Sequence, residues 1–197
     1  MTYKIVSNGA SSSISTIDDE VMVSSISSNV SPIVTGLADG GWLVVWATDS
    51  AKSYIYSQRY DSNGAAVGSR IRVDNDDSYV SSHKDVAVAA FNNGGWVIAW
   101  NQDNYTSENK DTYRSADVYA KTFDSTGTAS AQFLVNTEQK FSQSQPSIAT
   151  FSDNSWIISW TSMYQDWPAD SGLGGIYAQR FDSDGSPLGS EFLVNDD

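Results

Sequence analysis

The sequence predicts an all-β fold of three repeated four-stranded antiparallel meanders, arranged like β-propeller blades or as an array closed about a pseudo-threefold axis. Three observations carry this expectation: a Trp-x-x-x-Trp run that returns three times, a strand and turn that return with it each time, and no convincing helical segment. Self-similarity at a near-constant period is the signature of a repeat architecture.

The first segment, residues 1–31, holds Tyr3-Lys4-Ile5-Val6-Ser7-Asn8, which resembles the closing strand of the later modules, and a Ser-rich linker from Gly9 to Ser31 with one apolar patch at Val21-Met22-Val23. The chain thus has a spare copy of its last strand. That strand is expected to pair with another protomer, cap an open edge, or belong to a module lost from a longer parent. Repeat 1 (32–82), repeat 2 (83–140) and repeat 3 (141–197) follow as one structural domain.

Each repeat opens on an apolar strand and turns at Asp39-Gly40-Gly41, Asn92-Asn93-Gly94-Gly95 or Asp153-Asn154-Ser155. These tight turns need positive φ, which Gly and Asn tolerate. The second strand holds the paired tryptophans: Trp42 and Trp46, Trp96 and Trp100, Trp156 and Trp160. Alternation sets Trp42, Val44 and Trp46 on one face and Leu43 and Val45 on the other, so this strand is expected to be buried on both sides. The third strand alternates Ile176, Ala178 and Arg180 with Tyr177, Gln179 and Phe181 and reads as half-buried. Asp-Ser-x-Gly at 61–64, 124–127 and 182–185 has the Asp and Gly of a reverse turn. The fourth strand is Ile71-Arg72-Val73-Asp74-Asn75, Phe133-Leu134-Val135-Asn136 or Phe192-Leu193-Val194-Asn195.

Length varies at one place. Between the second Trp and the Tyr of the third strand lie 9, 18 and 16 residues in the three repeats, while the other spacings barely change. Six of the seven tryptophans therefore belong to the frame, and Trp167 lies outside it in a grown loop.

Composition narrows the function. With 24 acidic against 11 basic residues and a net charge of −13, the chain lacks the cationic face that nucleic acid or an anionic membrane surface requires. Having no cysteine, it has no disulfide scaffold, thiolate nucleophile or Cys-based metal site, so oxygen would have to hold any metal. No apolar run of about 18 residues is present to span a membrane as a helix. The start lacks the charged and apolar regions of a signal peptide. Cytoplasmic residence, a trimmed leader, or export without an N-terminal leader remain open.

Gly-Gly-Trp-(apolar)3-Trp, then Ile-Tyr-x-Gln-Arg-Phe-Asp-x-x-Gly, then Glu-Phe-x-Val-Asn resembles a repeat of large, acidic, calcium-associated bacterial exoproteins, both hemolysin-type and cadherin-containing, many exported by type I secretion. The resemblance covers residues 32–197. It implies an extracellular, secreted or surface-attached accessory module reached by leaderless export. Repeat 2 departs, with Lys121-Thr122 where the others have Gln-Arg and Thr128-Ala129-Ser130 where the others reach Gly68 or Gly189. No Gly-Gly-x-Gly-x-Asp run occurs, so the calcium-binding β-roll of those exoproteins is not carried over.

The candidate site lies in the grown loops. Trp167 with Tyr164, Gln165 and Asp166 in repeat 3, and Tyr105 and Tyr113 with Gln102 and Asp103 in repeat 2, combine aromatic, amide and carboxylate groups. An indole stacks on a sugar face while amides and carboxylates bond its hydroxyls. Asp182 and Asp184 are candidate calcium ligands, although a calcium site takes six to eight oxygens and the motif's own requirement is a turn. Calcium is thus a possible cofactor and none is certain. His83, the one histidine, sits in a stretch that reads as a polar linker, and no triad can be assembled around it. The leading expectation is a non-catalytic, lectin-like module binding a glycan or cell-surface partner, forming a homo-oligomer through its N-terminal strand. The alternatives are a structural self-assembly module and a glycoside-active enzyme with two facing carboxylates.

Overall fold

The computed structural model describes residues 29–48, 53–75, 83–103, 116–139, 141–163, 165 and 174–195. Of the N-terminal strand and linker expected over residues 1–31, residues 1–28 lie outside the described residues, while 29–31 open the first strand of sheet 1 instead of ending a linker. Within the described residues the fold is all-β, with no helix and twelve strands in three four-stranded antiparallel sheets.

Sheet 1 comprises β1 (Asn29–Gly36), β2 (Trp42–Thr48), β3 (Ile55–Tyr60) and β4 (Ala66–Arg72). Sheet 2 comprises β5 (His83–Ala90), β6 (Trp96–Asp103), β7 (Ala116–Phe123) and β8 (Phe133–Leu134). Sheet 3 comprises β9 (Gln143–Thr150), β10 (Trp156–Ser162), β11 (Gly175–Phe181) and β12 (Phe192–Leu193). Each is an up-and-down meander in chain order. The first strands lie together, β1 beside β5 and β5 beside β9, which puts each fourth strand at the far edge of its sheet. His83 opens β5 opposite Gln102 rather than sitting in a linker.

The turns take the form the sequence predicts. Gly40 and Gly94 have φ of 84° and 89°, and Asn154 adopts the same left-handed conformation at 63°. The Asp before each points its Oδ1 at a backbone N–H two residues on, as does Asn93 in repeat 2. In the second turn Asp61, Asp124 and Asp182 each accept two backbone N–H bonds through Oδ1, from residues two and four further along. These carboxylates stand in for backbone partners that a turn leaves unpaired.

Two faces per sheet make two cores. Leu43, Val45, Ala47, Ile55 and Val73 of sheet 1 pack against Trp96, Ile98, Trp100 and Phe123 of sheet 2. The opposite face of sheet 2, with Val97, Ala99, Val118, Ala120 and Val135, packs against Trp156, Ile158, Trp160, Tyr177 and Phe181 of sheet 3. One rule thus operates twice: an aliphatic face receives the aromatic face of the next sheet. Full burial on both sides, expected for every tryptophan strand, holds for β6 from Trp96 to Gln102. It fails for β2, where Trp42 and Val44 are half-buried, and for β10, where Ile157 and Ser159 are half-buried. The end sheets each have one face without a neighbour among the described residues.

Candidate functional site

The variable loops leave and re-enter the frame at fixed points on one rim. They depart after β2, β6 and β10 and return into β3, β7 and β11. The return is pinned the same way three times: Asp74, Asn136 and Asn195 each turn Oδ1 onto the backbone N–H of Ile55, Val118 and Ile176 at 2.7, 2.7 and 2.6 Å. The next residue back completes the clasp, with Val73, Val135 and Val194 donating their N–H to those same third-strand residues' carbonyls. Asn136 adds a 2.7 Å bond from Nδ2 to Asp117, fully inside the protein. The loops can therefore differ in length without disturbing the sheets.

The first strands contribute an irregularity at the same rim. Pairing slips between Val30 and Ile33, between Lys84 and Ala87, and opposite the step from Ser159 to Thr161. Asp85 and Gln145 sit in the second and third of these bulges with φ of 46° and 56°. A bulge re-aims the side chains around it. Here the Gln145 N–H donates to Asp85 Oδ2 at 3.4 Å, tying sheet 3 to sheet 2.

Of the expected ligand residues, Tyr105, Tyr113, Tyr164, Asp166 and Trp167 lie outside the described residues. Gln165 accepts a hydrogen bond from the Ser162 hydroxyl on Oε1 at 2.7 Å and donates from Nε2 to Glu191 Oε1 at 2.8 Å. Glu191 Oε2 in turn accepts the Thr137 N–H at 2.6 Å. Gln102 is buried, its Oε1 facing Trp100 Nε1 at 3.5 Å and Gln132 Nε2 at 3.4 Å. Asp103 is half-buried at the end of β6. The structure thus links Gln165, through Glu191, to Thr137 beside the edge of sheet 2.

Beside that contact lies a cleft of about 530 Å³ between the outer edges of sheets 2 and 3, lined by Phe133, Asn136, Thr137, Gln179 and Glu191 among others. It holds two aromatic rings, Phe133 and Phe181, two amides and a carboxylate. Sequence reading did not single it out, because these residues are separated in the chain and belong to frame motifs. The usable signal was Glu191 at the place where the other repeats carry Arg70 and Gln132. A second cleft of about 460 Å³ runs between the first strands, bounded by Leu37, Val88, Phe91 and Ile148 with Thr35, Asn92 and Thr150 among others, and has no charged residue in its lining.

The carboxylates are mostly engaged by turns. Hydrogen bonds hold three of them below the usual carboxylate range: Asp39 chiefly through the Arg59 guanidinium, Asp124 through the Thr126 hydroxyl and Asp153 through the Ser155 hydroxyl. Asp182 Oδ1 is committed to the Asp184 and Ser186 N–H groups, and Asp184 is exposed. Among the described residues no three His, Asp or Glu side chains gather as a metal-binding group.

The arginine of the Gln-Arg pair works at a joint. Arg59 Nη2 bridges to Asp39 at 2.6 Å, Nη1 donates to the Ser125 carbonyl at 2.9 Å, and the guanidinium lies 5.8 Å from the Trp96 ring centre. Lys121, the departure in repeat 2, reaches back to sheet 1, donating to the Val73 carbonyl at 2.6 Å and to Asn75 Oδ1 at 2.8 Å. Burial pushes its ammonium below the usual lysine range, although Asp74 opposes the shift.

No known family matches the chain, and no curated protein does. Among solved structures it is similar to a protein of unknown function from Dyadobacter fermentans DSM 18053, with a TM-score of 0.61 at 10% identity over 85% of this chain and 54% of that one. An endo-1,4-beta-xylanase from Bacteroides thetaiotaomicron VPI-5482 matches with a TM-score of 0.48 at 10% identity over 83% of this chain and 59% of that one. The chain spans little more than half the length of either. The first likeness concerns the fold alone.

Proposed function

We propose that this chain is a non-catalytic, lectin-like carbohydrate-binding module of a secreted or surface-exposed bacterial protein, its three sheets serving as consecutive blades of a propeller-like array. The observation that carries the reading is the division of labour between frame and rim. Identical clasps at Asp74, Asn136 and Asn195 hold the frame constant, while the loops that vary all enter at the same rim. Recognition residues concentrate on loops held by a rigid scaffold. Trp167, Tyr164 and Asp166 in one loop and Tyr105 and Tyr113 in another supply stacking and hydrogen-bonding groups suited to sugars. The cleft beside Glu191 offers the same three chemistries. Side-by-side first strands support the radial arrangement.

A glycan array at millimolar calcium tests this reading. Selective binding is expected from the parent chain, and Trp167→Ala should weaken it about tenfold or more without changing the melting temperature. An array without a hit overturns the reading. A chelator arm addresses the Asp182 and Asp184 turn: an unchanged melt rules out a structural calcium there.

A further inference from the structure

The two joints between sheets follow one rule, and the three described sheets leave one half of that joint uncovered by another described sheet on each side. On the aliphatic half, Ile55 and Val118 are both 0% exposed where the next sheet covers them, but their equivalent in sheet 3, Ile176, is 38% exposed. Val73 and Val135 are 1% and 6% exposed, whereas Val194 is 54% exposed. The aromatic half tells the same story from the other end. Val88 and Ile148 pack into the two cores, while their equivalent Val34 on sheet 1 is 65% exposed.

The polar fitting of the first joint has a counterpart on sheet 3, although the second joint carries Thr122 in that place. Arg59 reaches across its joint onto Trp96 and the Ser125 carbonyl; Arg180 holds the same place on sheet 3 but lies exposed, 5.8 Å from the ring centre of its own module's Phe151. On sheet 1, Trp42 and Ser62 occupy the positions of Trp96 and Ser125.

We propose that the occupant of both open faces is a second copy of this chain: sheet 3 of each copy receives sheet 1 of the other, and the two chains close one ring. The joint would continue an interface that the fold already builds twice, so both halves of its chemistry are present in one molecule. Head-to-tail contacts make a closed ring when the rotation closes and a filament when it does not. Propeller-like rings hold four to eight blades. Two chains of three sheets fall inside that range, and three chains exceed it. The contact is largely apolar, with Arg180 on one half and Arg70 and Arg72 lying over the Tyr56 and Tyr54 rings of the other, and the net charge of −13 on each chain opposes it. Salt should therefore tighten the assembly. This inference rests on the radial arrangement proposed above and not on sugar binding, so a negative glycan array leaves it standing.

The solution mass of the chain, measured by sedimentation or light scattering, should be twice the 21.4 kDa of one copy. Val34→Glu and Ile176→Glu should each return the mass of a single chain with an unchanged far-UV spectrum. Mixed together, the two variants should associate again, because V34E keeps an intact sheet 3 face and I176E an intact sheet 1 face. A variant that had merely unfolded could not be rescued in this way. Arg180→Ala should raise the dimer dissociation constant about tenfold. The proposal is overturned by a single-chain mass at the highest soluble concentration, by an assembly that grows with concentration instead of stopping at two, or by dissociation in only one of the two glutamate variants. Failure of the mixture to associate also overturns it, since head-to-tail pairing requires that rescue.

Discussion

Sheet 2 and sheet 1 carry nearly the same tryptophan strand, yet the two strands sit in different surroundings. Trp96, Ile98 and Trp100 are at most 2% exposed because sheet 1 lies over them. Trp42 and Val44, in the same places on sheet 1, are half-buried, and Trp42 finds its partner within its own sheet by stacking on Tyr60 at 5.7 Å. Trp96 makes the equivalent stack on Phe123 at 5.4 Å and is covered besides. For Trp42 and Val44 burial follows position in the array, whereas Trp46, stacked on Tyr56 of its own sheet, is 2% exposed without a covering sheet among the described residues. A repeat cannot bury its own face alone, so the outermost repeats differ from the inner one even where their sequences agree.

The largest way to probe this contrast is to remove the indole from each place. Trp96→Ala should cost about 3–5 kcal/mol, the usual range for deleting a fully enclosed aromatic. Trp42→Ala should cost about 1–2 kcal/mol at a protein concentration low enough to keep chains apart, since less contact is lost. Urea unfolding of both variants gives the comparison. Equal costs at low concentration would erase the distinction between the two sheets. Costs that differ when dilute and converge when concentrated would sharpen it, by showing that the sheet 1 face becomes covered.

The clasps give a contrast of intermediate size. Asn136 is 3% exposed and holds both the Val118 N–H and Asp117, whereas Asn195 holds the Ile176 N–H at an exposed end. Asn136→Ala leaves buried groups unpaired and should destabilise by about 1–3 kcal/mol. At the open end water replaces the lost partner, so Asn195→Ala should cost under about 1 kcal/mol. Thermal melts of the two variants check the order, and the reverse order would mean that the end clasp is the one shielded from solvent.

Most of the frame was legible because it is written in local signals. Trp-x-x-x-Trp, the Asp–Gly turns and the alternation of β11 report on residues within a few positions of one another, and each appears where expected. Burial on both sides of β2 and β10 was not legible, since it depends on how many sheets follow or precede. The role of Arg59 was half legible. The Gln-Arg motif marked the residue and Asp39 lies in its own module, but Trp96 and Ser125 belong to the next sheet. His83 was misread because a seven-residue polar stretch before it hid the start of β5. For the site, Gln165 and Gln102 could be named from their loops. That Gln102 faces inward and that Glu191 closes onto Gln165 follows from packing across sheets, which no local pattern encodes.

The smallest expected effect concerns acid. Asp39 and Asp153 occupy the same turn position in repeats 1 and 3, and both are held below the usual carboxylate range for different first reasons. Asp39 owes its shift chiefly to Arg59, which is itself held at the joint; Asp153 owes its shift chiefly to the Ser155 hydroxyl, with Arg180 a lesser contributor. A carboxylate with a lowered folded-state value binds fewer protons folded than unfolded. Its contribution is therefore complete above the unfolded value of about 3.9 and is lost as pH falls through the folded value. Asn in place of either residue should flatten the acid limb of a stability–pH profile slightly. Raising the salt should remove most of the difference between the parent chain and Asp39→Asn, because an exposed ion pair is screened, and should change that for Asp153→Asn much less. Equal salt sensitivity in the two variants would place Arg180 as firmly against Asp153 as Arg59 is against Asp39, and the open end of the array would then be as ordered as its joint.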